Sequence, residues 1–245
     1  MSENLSKRNN GFLFFIRKLE LSLIILIIFS IGFIPFTIFF YIIYHFFQNF
    51  QFFIFILFPI IIYFGIVILI ISQLTISGFF INIFKIKYKT GIYNYNYLDK
   101  NSFMWILYCS LYIPCRKIIE IFPVGRIKNI YYRLIGMKIG ENSLIGGVIK
   151  DPCITSIGNN VTMGEYSIIY GHIHNYKDGK IIIKDVKIGN NCIIGAGSII
   201  MPGAILKDDV IVATGGVVTQ NQILEKGKIY GGVPVKEINN KYILN

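Results

Sequence analysis

Acidic residues are scarce in this chain. Thirteen Asp and Glu stand against twenty-four Lys and Arg, a formal net charge of +11 over 245 residues. No basic and aromatic stripe lies on a recognised nucleic-acid fold, so that class of partner is set aside and the basic excess is assigned to anionic lipid. Cysteine is also sparse: Cys109, Cys115, Cys153 and Cys192 have no metal-ligand spacing, and in a cytoplasmic setting they read as reduced and mostly buried. Histidine occurs three times. That scarcity confines any histidine-based proton transfer to His45, His172 and His174, and His45 merely ends a long apolar run.

Charge is missing altogether from two such runs. Leu21 to Phe47 and Phe52 to Phe84 are almost unbroken hydrocarbon and aromatic, parted by the short polar break Gln48-Asn49 with Gln51. About 20 apolar residues in a helix cross a bilayer core, so the spacing predicts transmembrane helices over about 21–47 and 52–84 within an N-terminal segment, 1–90. A cleaved signal peptide is excluded by the length of the first run and the lack of a small-residue cleavage site. A buried hairpin of a soluble protein is excluded because neither segment has a charged face. Pro35 and Pro59 are expected to kink these spans rather than end them. Lys7, Arg8, Arg17 and Lys18 precede the first run, Lys85, Lys87 and Lys89 follow the second, and the turn between carries no basic residue. Both termini are therefore expected on the cytoplasmic side of the cell membrane, in a multi-pass arrangement.

Residues 91–137 form the link to the rest of the chain. Within it, Ser102 to Ile135 is apolar and aromatic but studded with Arg116, Lys117, Arg126, Lys128 and Arg133. The pattern predicts one or two amphipathic helices on the inner leaflet, with Trp105 and several tyrosines at headgroup depth. A helical cap on the following domain is compatible with the same pattern.

From Ile188 onward an aliphatic residue returns every sixth position: Ile188, Ile194, Ile200, Leu206, Val212, Val218. The fifth residue of each hexad is compact, as in Cys192, Ser198, Ala204, Val210 and Gly216. A period of six belongs to a chain that turns a corner every six residues and stacks coil upon coil, its aliphatic residues building a continuous inner column. The period appears earlier at Ile139, Ile145, Ile157, Met163 and Ile169, with Asp151 interrupting the aliphatic set. Ile169 to Ile188 spans nineteen residues, three hexads plus one, so the stretch near Asn175 to Asp185 is expected to leave the solenoid as a loop. Insertions of that kind often carry binding and catalysis.

The run KIGNNCIIGAGSIIMPGAILKDDVIVATGGVVT and the terminal GGVPVKEI resemble the hexapeptide-repeat acyltransferases. The resemblance implies a mainly β fold, a left-handed parallel β-helix over 138–245, preceded by the transmembrane hairpin and amphipathic helices. It also implies a homotrimer with active sites between adjacent prisms, and acetyl-CoA as the acyl donor.

The same resemblance places a catalytic histidine just before an insertion. His172 in YGHIHNYKDGK matches that position best, and His174, two residues on along a strand, would face the same side with Ile173 turned inward. Strand geometry leaves either as the general base. Glu165, Asp178 and Asp185 are all candidates to orient it. By match to the family, Ala196, Thr214, Gly215 and Thr219 line the pantetheine arm, Lys236 meets the phosphates, and the Gly195-Ala196-Gly197 turn supplies an oxyanion donor. Carbonic anhydrases share this solenoid, but their zinc needs three histidines and only two lie in this domain, so no metal is expected. Two functions follow as expectations. One is a membrane-anchored acetyltransferase acting on a hydroxyl or amine of a sugar or lipid-linked cell-surface precursor. The other is a catalytically silent β-helical scaffold of a membrane complex.

Overall fold

The computed structural model describes residues 2–48, 51–121 and 125–238. Asn49 of the polar break and the last residues of the 138–245 domain lie outside that range, as do the side chains of Lys7, Arg8, Gln51 and Arg126. Two compact units are present: Met1–Ile86 with Phe103–Pro123, and Lys87–Ser102 with Val124–Asn245.

The first unit is helical. It contains α1 (Ser2–Gly32), α2 (Ile34–Phe47) and α3 (Gln51–Ile83). Two stretches, Gly11–Phe47 and Phe55–Ile83, are long and apolar enough to cross a membrane, and little of either is buried within the protein. Their rings and aliphatic chains point outward, with Phe46 75% and Phe55 81% exposed. The two prolines behave differently. Pro59 stays inside α3, as expected of a kink, whereas Pro35 opens α2 and marks a break at Phe33. Proline has no N–H to donate back to the preceding turn, and the first turn of a helix is where that loss costs least.

Between these helices sits a small polar core. The Ser72 hydroxyl donates to the Gly32 carbonyl and the Gln73 amide donates to the Phe29 carbonyl. The long helix α4 (Lys100–Ile121) begins in the second unit and runs through the first. It does not lie flat with its aromatics at the surface: Trp105, Tyr108, Leu111, Tyr112 and Cys115 are buried. Arg116, read from sequence as facing lipid headgroups, is also buried and pairs with Glu120 one turn on at 2.5 Å. The (i, i+4) spacing puts the carboxylate on the guanidinium's own face of the helix.

The second unit is the solenoid. Its first coil comprises β2 (Lys138–Ile139), β3 (Leu144–Ile145) and β4 (Val148–Ile149), and its second β5 (Thr155–Ile157), β6 (Thr162–Met163) and β7 (Ile168–Ile169). After an insertion come β10 (Val186–Ile188), β11 (Ile193–Ile194) and β12 (Ile199–Ile200), then β13 (Ile205–Leu206), β14 (Ile211–Val212) and β15 (Val217–Val218). The stack closes with β16 (Ile223–Leu224), β17 (Ile229–Gly231) and β18 (Lys236–Glu237). Equivalent strands of successive coils pair in parallel, making three flat sheets; only β18 folds back antiparallel, on β17. Ile188 pairs with Leu206, Ile194 with Val212 and Ile200 with Val218, eighteen residues apart in each case. All six members of this column are at most 4% exposed, as the six-residue period requires.

The first coil departs from the period. Ile149, not the residue at the sixth position after Ile145, pairs with Ile169 and takes the inner column. The Gly146-Gly147 corner is two residues short and the next corner, with the single 3-10 turn Pro152–Ile154, is two residues long. Asp151 is therefore not in the column but in that corner, and it is completely buried.

Helix α5 (Gly125–Leu134) caps the solenoid. Its polar side chains satisfy carbonyls of the first coil: Lys128 donates to Gly147 at 2.6 Å, Asn129 to Ser143 at 2.7 Å, and Arg133 to Ile139 and Gly140 at 3.1 and 3.0 Å. Lys128 and Arg133 thus meet the expectation of a helical cap on the following domain. Removing inner-column volume should be costly at any of these coils. Ile200→Ala is expected to lower unfolding free energy by about 2–5 kcal/mol, measured by urea unfolding followed by circular dichroism.

Candidate active site

The insertion is built because the coils must stay in register. Ile157 pairs with Ile188, thirty-one residues on, where a plain coil needs eighteen, so thirteen residues leave the wall between Ile169 and Ile188. They form an antiparallel hairpin, β8 (His172–Asn175) and β9 (Lys180–Ile183), closed by a turn in which Gly179 takes φ +59°. A third strand joins it. β1 (Gly91–Asn94) pairs antiparallel with β9 over four residues, and Tyr95 N–H donates to the Gly179 carbonyl. This strand was not foreseen in the 91–137 link. Its four residues, GIYN, are too few to show an alternation, and its partner lies about ninety residues away.

The two histidines stand on one side of β8, their ring centroids 5.3 Å apart, in accord with the two-residue period of a strand. Ile173 between them is only half-buried and pairs with Ile182 of the hairpin, so it does not point into the solenoid core. It has left the wall before the column could use it. Tyr170 and Tyr176 continue the row on either side, with centroids 6.5 Å from His172 and 5.4 Å from His174. Tyr95 meets His174 edge-on at 4.6 Å.

What separates the histidines is a carboxylate. Asp151 Oδ2 lies 2.7 Å from His172 Nδ1 and accepts the Gly171 N–H at 2.8 Å, while Oδ1 accepts the Tyr88 hydroxyl at 2.7 Å. The site owes this to coil stacking. Gly171 sits directly over Asp151, so closely that a Cβ there would come within 2.7 Å of the Asp151 Cβ. Burial alone would push the Asp151 carboxyl up; the hydrogen bond and charge of His172, then Tyr88 and Gly171, outweigh it and hold the group below its ordinary value. An ionised carboxylate only accepts, so Nδ1 of His172 carries a proton, and in the neutral ring Nε2 keeps its lone pair. His174 makes no bond to Asp151. Burial, and then the charge of His172, push its pKa down, with Asp151 in partial opposition.

Glu165, Asp178 and Asp185 do not orient a histidine: all three are exposed, and Asp178 accepts from Asn175 in the hairpin turn. The signal for Asp151 was present in the sequence as the one charge on the inward period. It read as a defect in the repeat because the shift of the first coil is invisible without the corner geometry.

The other candidate residues lie elsewhere on the prism. Ala196, Thr214 and Gly215 share one corner column, where Gly215 N–H donates to the Ala196 carbonyl at 2.9 Å. That corner is separated from the insertion's corner by a strand of the third sheet. Thr219 follows β15 on the insertion's own corner column and bonds Gln222 through both its amide and hydroxyl. Lys236 is exposed on β18. In the Gly195-Ala196-Gly197 turn, Gly195 and Gly197 donate within the stack, to Val212 and Glu165. A single chain therefore groups His172 with Asp151, and groups Ala196, Thr214 and Gly215 separately.

Because the folded-state pKa of Asp151 lies below the ordinary carboxylate value, its contribution to stability is present above that value and fades as pH falls through the folded pKa. Asp151→Asn should remove this limb, giving a shallower loss of thermal midpoint below about pH 4 than in the parent chain. Parallel midpoint-versus-pH curves would contradict the assignment.

Residues 185–220 match the family pattern described as "Hexapeptide repeat of succinyl-transferase". The Bacillus subtilis (strain 168) protein YvoF, whose name marks it as a candidate acetyltransferase, is 29% identical over 155 residues, covering 56% of this chain and 85% of its own length. The mitochondrial gamma carbonic anhydrase 2 of Arabidopsis thaliana is 24% identical over 143 residues, and this chain covers 50% of itself and 45% of that protein in the match. Among solved structures, a maltose O-acetyltransferase from Clostridium difficile 630 is 29% identical with a TM-score of 0.38, across 43% of this chain and 59% of that one. The residues matched by the family pattern are those of coils β10–β15 of the solenoid.

Proposed function

We propose that this protein is an acetyl-CoA-dependent acyltransferase with His172 as general base. The observation that carries the reading is the bond from His172 Nδ1 to a buried, ionised Asp151 at the root of a solenoid insertion. In the mechanism, Nε2 of His172 takes the proton of an acceptor hydroxyl or amine as its oxygen or nitrogen attacks the thioester carbonyl. The tetrahedral intermediate collapses with loss of coenzyme A thiolate, which recovers the proton from the imidazolium. Ala196 N–H is the donor we assign to the oxyanion, since its two neighbours in the turn already donate within the stack. Thr214, Gly215 and Thr219 would line the pantetheine arm and Lys236 would meet the phosphates. The separation of the two residue groups within one chain supports a homotrimer, in which the donor corner of one copy faces the insertion of the next.

The acceptor we assign is a sugar, free or lipid-linked. The row Tyr170, His172, His174 and Tyr176, with Tyr95 beside it, offers flat ring faces leading away from the base, and Tyr176 is 83% exposed. We place the protein in the cell membrane through its two long apolar stretches, with both termini cytoplasmic by the distribution of Lys and Arg. Fixing the site at a leaflet raises its effective concentration near a lipid-linked acceptor. A zinc hydrolase is disfavoured by the donor set: such a site needs three protein ligands, and of the two histidines here one has Nδ1 committed to Asp151.

The test is direct. His172→Ala should lower acetyl transfer by roughly 10²–10⁴ while calorimetric binding of acetyl-CoA to the full chain in detergent is unchanged. His174→Ala should act mainly on acceptor KM. Full activity in His172→Ala would overturn the mechanism.

A further inference from the structure

The carboxylate that orients His172 has a third donor, and it comes from outside the repeats. We propose that Tyr88 is a positioning residue for the general base, an inference that rests on the acyltransfer reading given above. Asp151 is completely buried, so no bulk water is there to fix its rotation. Its Oδ2 serves both Gly171 N–H and His172 Nδ1, and its Oδ1 is held by the Tyr88 hydroxyl at 2.7 Å. Thr155 anchors the other end of the residue by donating its hydroxyl to the Asp151 carbonyl at 2.8 Å. With Tyr88 in place, rotating the carboxylate about Cβ–Cγ breaks bonds on both oxygens together. Without it, Oδ1 loses this donor and the carboxylate gains a reason to turn.

The phenol suits this task chemically. It donates to the anion without adding charge, so it favours an ionised Asp151 and leaves the charge of His172 to act on it. The neighbouring Cys153 thiol cannot compete as an anion, because burial above all pushes its pKa up to about 12. Tyr88 is itself 4% exposed and is held in register a few residues before β1, whose pairing with β9 ties the same segment to the insertion hairpin. One stretch, Lys87–Ser102, thus delivers Tyr88 beneath the base and Tyr95 beside His174. It is also the stretch that follows α3 in the chain, four residues separating Ile83 from Tyr88. The hexapeptide repeats alone therefore do not hold the complete site.

Tyr88→Phe removes one oxygen and tests the idea in the full chain in detergent. Tyr93→Phe is the control, since that hydroxyl donates only to the Thr90 carbonyl in the same segment. With ring-¹⁵N histidine, the parent should show His172 as a single tautomer protonated at Nδ1. Tyr88→Phe should show a mixture of tautomers, and Tyr93→Phe should match the parent. Transfer from acetyl-CoA should fall in kcat by about tenfold to a hundredfold, with KM for acetyl-CoA within about twofold. A fixed Nδ1 tautomer together with an unchanged kcat in Tyr88→Phe would overturn the proposal. Should Tyr88→Phe fail to fold, 2,3-difluorotyrosine at position 88 keeps the hydroxyl and strengthens the donor. It is expected to shift the Nδ1 proton resonance, and an unmoved resonance would count against the proposal. The tautomer readout needs no turnover, so loss of the acyltransfer reading through an active His172→Ala would be a separate result.

Discussion

Register between stacked coils is the constraint on which everything else depends. Each strand of the solenoid is only two or three residues long and has no stability of its own; it exists because its backbone bonds to the equivalent strand eighteen residues away. A wall held in this way tolerates extra residues only at a corner. The insertion obeys the rule: it leaves after Ile169, returns at Val186, and Ile188 sits over Ile157 as though nothing intervened. The base of the hairpin is therefore as rigid as the wall beneath it, and His172 stands on that base. Asp151 reaches His172 for the same reason, since the corner of one coil lies under the corner of the next.

Where burial has one solution per six residues, the sequence was legible. Ile188 through Val218 fill the column as the period demands, and Cys192, Ser198, Ala204 and Val210 are fully buried beside it. The hairpin was legible as a break in count, and the histidines as the only such residues beside it. Legibility failed where local geometry trades residues between corners. Gly146-Gly147 makes one corner short, the next absorbs the difference, and a residue that looks like a flaw in the column becomes the buried carboxylate of the site. Tyr88 and β1 were illegible for another reason. Their partners, Asp151 and β9, are distant in sequence, and a single tyrosine among sixteen carries no mark of the bond it makes.

Charge on an apolar helix has partners that composition alone does not name. Lys128 and Arg133 on α5, and Arg116 on α4, fit a leaflet-facing pattern by composition. In the fold they do two different local jobs: Lys128 and Arg133 satisfy carbonyls of the first coil, and Arg116 pairs along its own helix over the Tyr112 ring. Long basic side chains bury their stems and aim their heads at whichever acceptor is near, so the pattern fixes the stem's environment better than the head's partner.

The cap has a consequence for the solenoid as a whole. A stack of coils is a sheet edge at each end, a row of backbone groups ready to receive another coil. At the first coil the acceptors are already occupied by Lys128, Asn129 and Arg133; at the last, β18 turns back on β17 and runs against the direction an added coil would need. The same side chains that finish the fold thereby deny it growth. A coil added at either end would meet these side chains or an antiparallel strand before it met a free parallel edge.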